Sequence, residues 1–440
     1  MQYKKLSAIQ GSLIILEGIR NPINGEIVKI EPGGKTGRIV RIDGDRVVVQ
    51  VFEGTQNMSL ENTTTKFTGK PFELKLSADI LGRIFDGLGR PLDGLGPVSG
   101  NITRDINGSP INPVSRKYPR SFIQTGISAI DGLITLIRGQ KLPIFSGDGL
   151  PHDRIAAQII RQASVGIGSN GQIGAPENFA IVFGAIGIQH DVADYFRRIF
   201  EELDSVNRAT MYLNLASDPI VERISAPRAA LTAAEYLAYD KGMHVLVILT
   251  DMTAYAEALR EISSSQGEIP SRKGYPGYLY SDLSSIFERA GILKNSQGSL
   301  TQIPILSMPG DDITHPIPDL TGFITEGQIV LDRSLFQKGI YPPINILPSL
   351  SRLMKDGIGK GYTREDHPNI AKQLFSSYAK VKEARALAQI IGEEDLSESD
   401  RKLIKYGEAF EKRFLNQPEY NTRTIAETLD LAIELLKQVD

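Results

Sequence analysis

Cysteine is absent from the 440 residues, which excludes disulfides and thiolate metal sites and suits a cytosolic protein. Charge of one sign is equally lacking: 49 Lys and Arg stand against 52 Asp and Glu, a formal net charge of −3. With no basic stripe and no interleaved aromatics, no nucleic-acid partner is expected. No apolar run reaches the roughly 18 to 20 residues of a membrane span, and the opening "MQYKKLSAIQG" lacks the apolar core of a signal peptide. Any membrane association is therefore expected to come through partners. Histidine is scarce as well. The five, at 152, 190, 244, 315 and 367, never fall at metal-ligand spacing, so no metal site is predicted.

What is present is enough chain for two or three domains, each with its own core. From Leu6 to about Lys75, short alternating segments are cut by turns, as in "GRIVRIDGDRVVVQVFEG", and predict a small antiparallel β-barrel or sandwich. Asp43-Gly44 reads as a hairpin turn. "GGKT" at 33 to 36 ends like a phosphate loop, but Lys29 stands where the first glycine of that motif belongs, and a strand follows instead of a helix. Gly33-Gly34 is read as a second hairpin turn. From Asp86 to about Arg120 the chain is rich in Gly, Pro and Asn without regular periodicity, and is read as a wrap between domains.

Beyond it, apolar runs alternate with helical segments. Strands are predicted at "KLPIF" (141–145), "FAIVFG" (179–184), "TMYLNL" (210–215), "HVLVILTD" (244–251), "QIPILSM" (302–308) and "QIVLD" (328–332). Continuous apolar strands of this kind belong to a mostly parallel sheet covered by helices on both faces, an α/β domain. After about Ser349 strands are expected to stop. "IAKQLFSSYAKVKEARALAQIIG" places Ile370, Leu374, Tyr378, Val381 and Ile391 on one helical face with Gly392 as the stop, and Thr424 with Glu427 has capping-box spacing. The domain limits read from these patterns are 1–75, 76–348 and 349–440.

"FSGDGLPHDRIAAQII" (145–160) has the outline of a phosphate-gripping loop: an apolar strand, a glycine turn and an amphipathic helix. A working loop cradles phosphate with backbone amides, neutralises it with lysine and holds Mg²⁺ with a hydroxyl. Here Ser146, Gly147 and Gly149 keep the turn, but His152 takes the lysine position and Asp153 brings negative charge. Pro151 removes a donor. Hydrolysis at this loop is not expected. Two readings stay open from the loop alone, a degenerate nucleotide site and a plain junction in which Asp153 caps a helix beginning near Arg154. Asp251, closing a buried strand about a hundred residues on, reads either as a Mg²⁺-orienting carboxylate or as the cap of the next helix.

Taken together, "LGRIFDGLGRPLDG", "FIQTGISAIDG", "ERISAPRAALTAAEYLAY", "GYPGYLYSDL", "TQIPILSMPGDDITHPIPDLTGFITEGQIVLDR" and "YPPINILPSLSRLM" resemble the non-catalytic B subunits of A-type and V-type rotary ATPases. The resemblance runs from about residue 6 to 437. It implies a β-barrel, a RecA-like nucleotide-binding domain and a C-terminal helical bundle. It further implies an A3B3 ring with catalytic A subunits around a central rotor shaft, peripheral stalk subunits, and a place on the cytoplasmic face of the membrane. A separate membrane rotor would carry H⁺ or Na⁺. ATP or ADP with Mg²⁺ would sit at the A–B interface, with none tightly bound by this chain. Relative to the catalytic subunits, His152 replaces lysine, Asp153 threonine and Ala185 the water-activating glutamate. Relative to the B pattern, Gly147 and Asp148 replace small residues, and the C-terminal tail of longer relatives is expected to be missing. Arg352 of "PSLSRLM" matches the arginine that reaches into the A subunit's site. Tyr275, Tyr278 and Tyr280 are expected to pack at an interface. A self-sufficient homo-hexameric ATPase and a scaffold that binds no nucleotide are the alternatives.

Overall fold

The computed structural model describes residues 2–4, 6–165, 178–202, 208–392 and 394–438. The alternating N-terminal segments form seven antiparallel strands: β1 (Gln2–Lys4), β2 (Ala8–Gln10), β3 (Leu13–Leu16), β4 (Ile27–Glu31), β5 (Lys35–Asp43), β6 (Arg46–Val51) and β7 (Thr64–Phe67). Their order is β1-β7-β4-β5-β6-β3-β2. β1 and β2 are neighbours in the chain yet lie at the two ends of that order, so the sheet must curl until its ends meet. Both predicted hairpins are present. Gly33 and Gly34 take φ of 108° and 61° between β4 and β5, which places "GGKT" far from any helix. In the other hairpin Asp43 pairs with Arg46, and only Gly44 (φ 64°) is left-handed, as the first central residue of a two-residue turn requires when it alone has φ > 0.

The segment read as an irregular wrap contains more order than its composition predicts. β8 (Glu73–Leu76) pairs antiparallel with β10 (Ile102–Asp105), and β9 (Ile84–Asp86) joins the edge of the central sheet. Two- to four-residue strands carry too little periodicity to be seen in sequence. β11 (Ile123–Gln124) and β13 (Ser164–Val165) form another short pair.

All six predicted apolar runs enter one sheet, as β12 (Ile144–Gly147), β14 (Phe179–Ile188), β15 (Ala209–Leu215), β16 (His244–Thr250), β18 (Ser299–Met308) and β19 (Gly327–Leu331). The order is β20-β19-β12-β18-β16-β14-β15-β9, with β17 (Gly291–Ile292) beside β18. Pairing is parallel except β19 with β20 and β17 with β18. β20 (Ile344–Ser351) is a correction: strands were expected to stop near Ser349, and "INILPSLS" was not read as one. Its Pro348 and exposed Leu350 break the apolar pattern, which an antiparallel edge strand tolerates because one side needs no ladder bonds.

Past β20 the chain is helical. In helix His367–Ile391 the residues Ile370, Leu374, Tyr378 and Val381 are buried as predicted, but Ile391 is 41% exposed, as are Leu387 and Ile390 beside it, so the last turns of the helix are not covered. Gly392 does end it, at φ 89°. The capping box is formed in both directions, with Thr424 accepting from the Glu427 amide and Glu427 Oε2 accepting from Thr424 N at 2.8 Å. No described helix is long and apolar enough to cross a membrane.

One contact ties the wrap to a helix of the nucleotide-type domain and carries a pH signature. Glu222, on helix Ile220–Glu235, accepts from the Gly87 amide (3.1 Å) and lies 3.4 Å from Arg90 Nη2. Burial first, then the charges of Asp86 and Asp218, push its carboxyl up to about 7. In the unfolded chain it ionises near 4.5, so between those values the folded state holds the proton more tightly and the contribution to stability falls as pH rises. Glu222→Gln keeps the acceptor for Gly87 and is expected to gain on the parent, by at most about 3 kcal/mol, between pH 5 and 8 in denaturant melts. A pH-independent difference would disprove this.

Candidate functional site

The loop after β12 is the natural centre, because β12 lies inside the parallel sheet and ligands of such sheets bind beyond the carboxyl ends of the strands. All four residues of β12 are buried; Gly149 turns the chain at φ 75°, and a helix runs His152–Gln162 with Ile155, Ala156, Ile159 and Ile160 packed inward. The helix starts at His152, not near Arg154, and Pro151, not Asp153, stands at its cap with no side-chain bond. Asp153 falls in the first turn, where a carboxylate favours the helix dipole without capping it.

The loop spends its polar groups on itself. The Leu150 amide donates to the Gly147 carbonyl (3.1 Å) and the His152 amide to that of Leu150 (2.9 Å), so two donors that would face a phosphate are turned inward. Ser146 Oγ lies 2.9 Å from His152 Nδ1, and His152 Nε2 lies 3.7 Å from Asp153. Burial above all holds the Asp153 carboxyl above the usual carboxylate range; His152 pulls it back, while Asp251 and Asp191 push it further. A second negative group here would meet that same repulsion.

Asp251 resolves as a cap with a further duty. It caps helix Met252–Ser265 by accepting from the Thr253 amide (2.7 Å), and also accepts from the Ser307 amide (3.1 Å) and from Ser307 Oγ. Through these three donors its carboxylate caps the helix and ties β16 to β18. Ala185 is fully buried in β14 and offers a methyl group where a general base would be needed.

Two residues that sequence reasoning missed close the loop from outside. Arg333 makes a forked pair with Asp311 (2.7 and 2.8 Å) and reaches the Asp148 carbonyl (2.8 Å). The pair holds the Asp311 carboxyl below the usual range. It passes so close over Gly147 that a Cβ there would come within 1.9 Å of Asp311 Oδ1. That contact gives a reason for glycine at 147. The only signal was a pair of charged residues in the loops after β18 and β19, the strands flanking β12.

Ser146, Gly147, Gly149, His152, Asp153 and Asp251 thus gather at one end of the sheet, and Arg352 does not join them. Ser351 pairs with Gly327, and Ile329 pairs with Ile144, so Arg352 lies level with about Lys141, three residues before β12 begins and six before Gly147. That is roughly 20 Å along the strands from the loop at about 3.3 Å per residue. Arg352 is exposed; its amide donates to Glu326 (2.9 Å), while its guanidinium has no hydrogen-bond or ion-pair partner among the described residues. Of the three tyrosines, Tyr275 is buried and donates to Glu257, whereas Tyr278 and Tyr280 reach the surface.

A nucleotide with its Mg²⁺ therefore fits this chain's own loop poorly. The lysine is absent, the Leu150 and His152 amides are turned inward, and Asp153 and Asp251 set two carboxyl groups beside the loop.

Known proteins place the chain. Family models match residues 126–351 (ATP synthase alpha/beta family, nucleotide-binding domain), 6–69 (its beta-barrel domain) and 356–439 (C-terminal domain of V and A type ATP synthase). "V-type ATP synthase beta chain 2" of Clostridium tetani is 59% identical over 99% of this chain and 94% of its own length. The "V-type ATP synthase beta chain" of Halothermothrix orenii is 57% identical over 100% of this chain and 94% of its own. The solved ATP synthase subunit NeqB from Nanoarcheaum equitans shares 40% identity and superposes with a TM-score of 0.77 over 98% of this chain and 99% of that one. With a matching barrel, nucleotide-binding-type domain and C-terminal domain in order, the chain belongs to the ATP synthase alpha/beta family, among the B (beta) chains of V-type ATP synthases.

Proposed function

We propose that this chain is the non-catalytic, regulatory B subunit of a rotary ATPase, with domains at 1–75, 76–348 and 349–440. It alternates with catalytic A subunits in an A3B3 ring, held by a central shaft and a peripheral stalk at the cytoplasmic face of the membrane. Through that assembly ATP synthesis or hydrolysis is coupled to H⁺ or Na⁺ movement. Its own chemical contribution is Arg352, placed at the A–B interface where ATP or ADP with Mg²⁺ binds in the partner.

The observation that carries this reading is the separation of Arg352 from the loop. An exposed guanidinium without a hydrogen-bond or ion-pair partner among the described residues, at the opposite end of the sheet from its own phosphate-type loop, is available to a neighbouring molecule and out of reach of that loop. A planar, permanently charged fork suits a transferring phosphoryl group. The loop residues Ser146, Gly147, Gly149, His152, Asp153 and Asp251 then form a closed remnant of a nucleotide site, supported by their internal hydrogen bonds.

Two measurements test the reading. Purified chain alone is expected to show no ATP hydrolysis above background, and to gain activity only as a partner to the A subunit; steady turnover by the chain alone, abolished in Asp251→Asn, would instead establish a self-sufficient ATPase. Calorimetric titration of the chain alone with Mg-ADP is expected to give no binding heat up to millimolar ligand. Saturable heat that is lost in His152→Ala would show an open loop.

A further inference from the structure

We propose that Gln140 is a positioning residue for Arg352, an inference that rests on the reading of Arg352 as the group serving the neighbouring subunit's site. Its buried amide fixes the two anchors from which the exposed guanidinium projects.

Arg352 is free at its tip and held at its root. Its amide donates to the Glu326 carbonyl (2.9 Å), and the residue before it, Ser351, sits opposite Gly327 in the β19–β20 ladder. Gln140 grips both anchors. It is fully buried, and of the two hydrogens on its Nε2 one goes to that same Glu326 carbonyl (3.0 Å) and the other to Ser351 Oγ (2.9 Å). Its Oε1 accepts from the Ile137 amide (2.9 Å), and its backbone carbonyl accepts from the Gln302 amide (2.9 Å). The glutamine is thus held from behind by the turn ahead of β12, with both side-chain donors spent on the root of Arg352.

The neighbours complete the seat. Ser351 Oγ donates onward to the Thr135 carbonyl (2.9 Å), and the Glu326 carboxylate is taken by Lys141 through its amide (2.8 Å) and its Nζ (2.9 Å). Lys141 is itself buried and also pairs with Glu288 (2.7 Å). Residues 140 and 141 therefore clasp Glu326 by its carbonyl and by its carboxylate.

The chemistry singles out an amide at 140. A carboxylate there could accept from Ile137 but has no hydrogen for the two anchors, and an apolar side chain can do neither. A group that acts on reacting atoms has to be held within about 0.5 Å and 10–20° by residues that are themselves locked. Gln140 supplies that lock from the interior, on the side of Arg352 that no partner needs to reach.

The test is phosphate release from labelled Mg-ATP by rings assembled from the full-length chain and catalytic A subunits. Gln140→Met, similar in volume but without the amide, is expected to lower kcat by roughly 10- to 100-fold, the cost of about 1 Å of misplacement, and to leave KM nearly unchanged. Ser351→Ala should give a smaller loss of the same kind. In rings that also carry Arg352→Ala neither change should lower kcat further, because the group they aim is gone. A loss of equal size in both backgrounds would show a general structural role and overturn the proposal, as would a parent-like kcat in Gln140→Met. If Gln140→Met does not assemble, Ser351→Ala decides, and a parent-like kcat there overturns the proposal too. Turnover at the parent's rate in Arg352→Ala alone refutes the reading of Arg352 itself, and the positioning role falls with it.

Discussion

Arg352→Ala is expected to cut ATP turnover of the ring assembled with catalytic A subunits by roughly 10³- to 10⁵-fold, the range for loss of an arginine finger. The effect should fall on kcat far more than on KM, because charge on the transferring phosphoryl group develops in the transition state. Assembly should survive. The Arg352 backbone is held by the hydrogen bond from its amide to Glu326 and by the β19–β20 ladder, while its guanidinium has no hydrogen-bond or ion-pair partner among the described residues for folding to lose. Arg352→Lys should recover only part of the rate, since a point charge cannot reproduce the planar fork. Near-normal turnover by a correctly assembled Arg352→Ala ring would sink the assignment and leave this chain a scaffold.

The second large effect concerns stability. Arg289 is completely buried between the wrap and the nucleotide-type domain. It forms a two-pronged pair with Glu235 (2.7 and 2.6 Å) and donates to the Ile106 carbonyl (2.9 Å) and Thr232 Oγ1 (2.8 Å). Gly108 packs so tightly on it that a Cβ would lie 2.5 Å from the guanidinium carbon. Arg289→Met would leave the Glu235 carboxylate, itself 21% exposed, and three further acceptors without the guanidinium; breaking a fully buried pair costs about 3–5 kcal/mol, so the loss here is expected at or below the low end of that range. Denaturant melts should show that loss, and Arg289→Met with Glu235→Gln should regain a good part of it by removing the orphaned charge. A cost below about 1 kcal/mol would mean that water replaces the guanidinium and that the pair is not sealed.

Much of this molecule could be read from its residues because the relevant signals are local. Continuous apolar runs marked the six inner strands, glycine pairs and Asp-Gly marked the hairpins, and Thr424 with Glu427 marked a helix start. Missing groups were equally plain. The family resemblance implies lysine and glutamate where His152 and Ala185 stand, and a side chain that the sequence does not contain cannot be restored by folding. β20, by contrast, was hidden because Pro348 and alternating exposure erase the pattern of a buried strand, and Ile391 was misplaced because helical period says nothing of which turns a neighbour covers.

The sequence by itself thus determined the order of domains and which residues stand at 152, 185 and 352, the positions to which the family resemblance attaches the missing lysine and glutamate and the reaching arginine. Only the tertiary structure decided that Asp311 and Arg333 clamp the loop over Gly147, and that Asp251 joins β16 to β18 through Ser307. The reason is physical. Periodicity and turn chemistry act over a few residues, whereas these pairings join positions brought together by strand register, and a side chain's partner in space leaves no imprint on its neighbours in the chain.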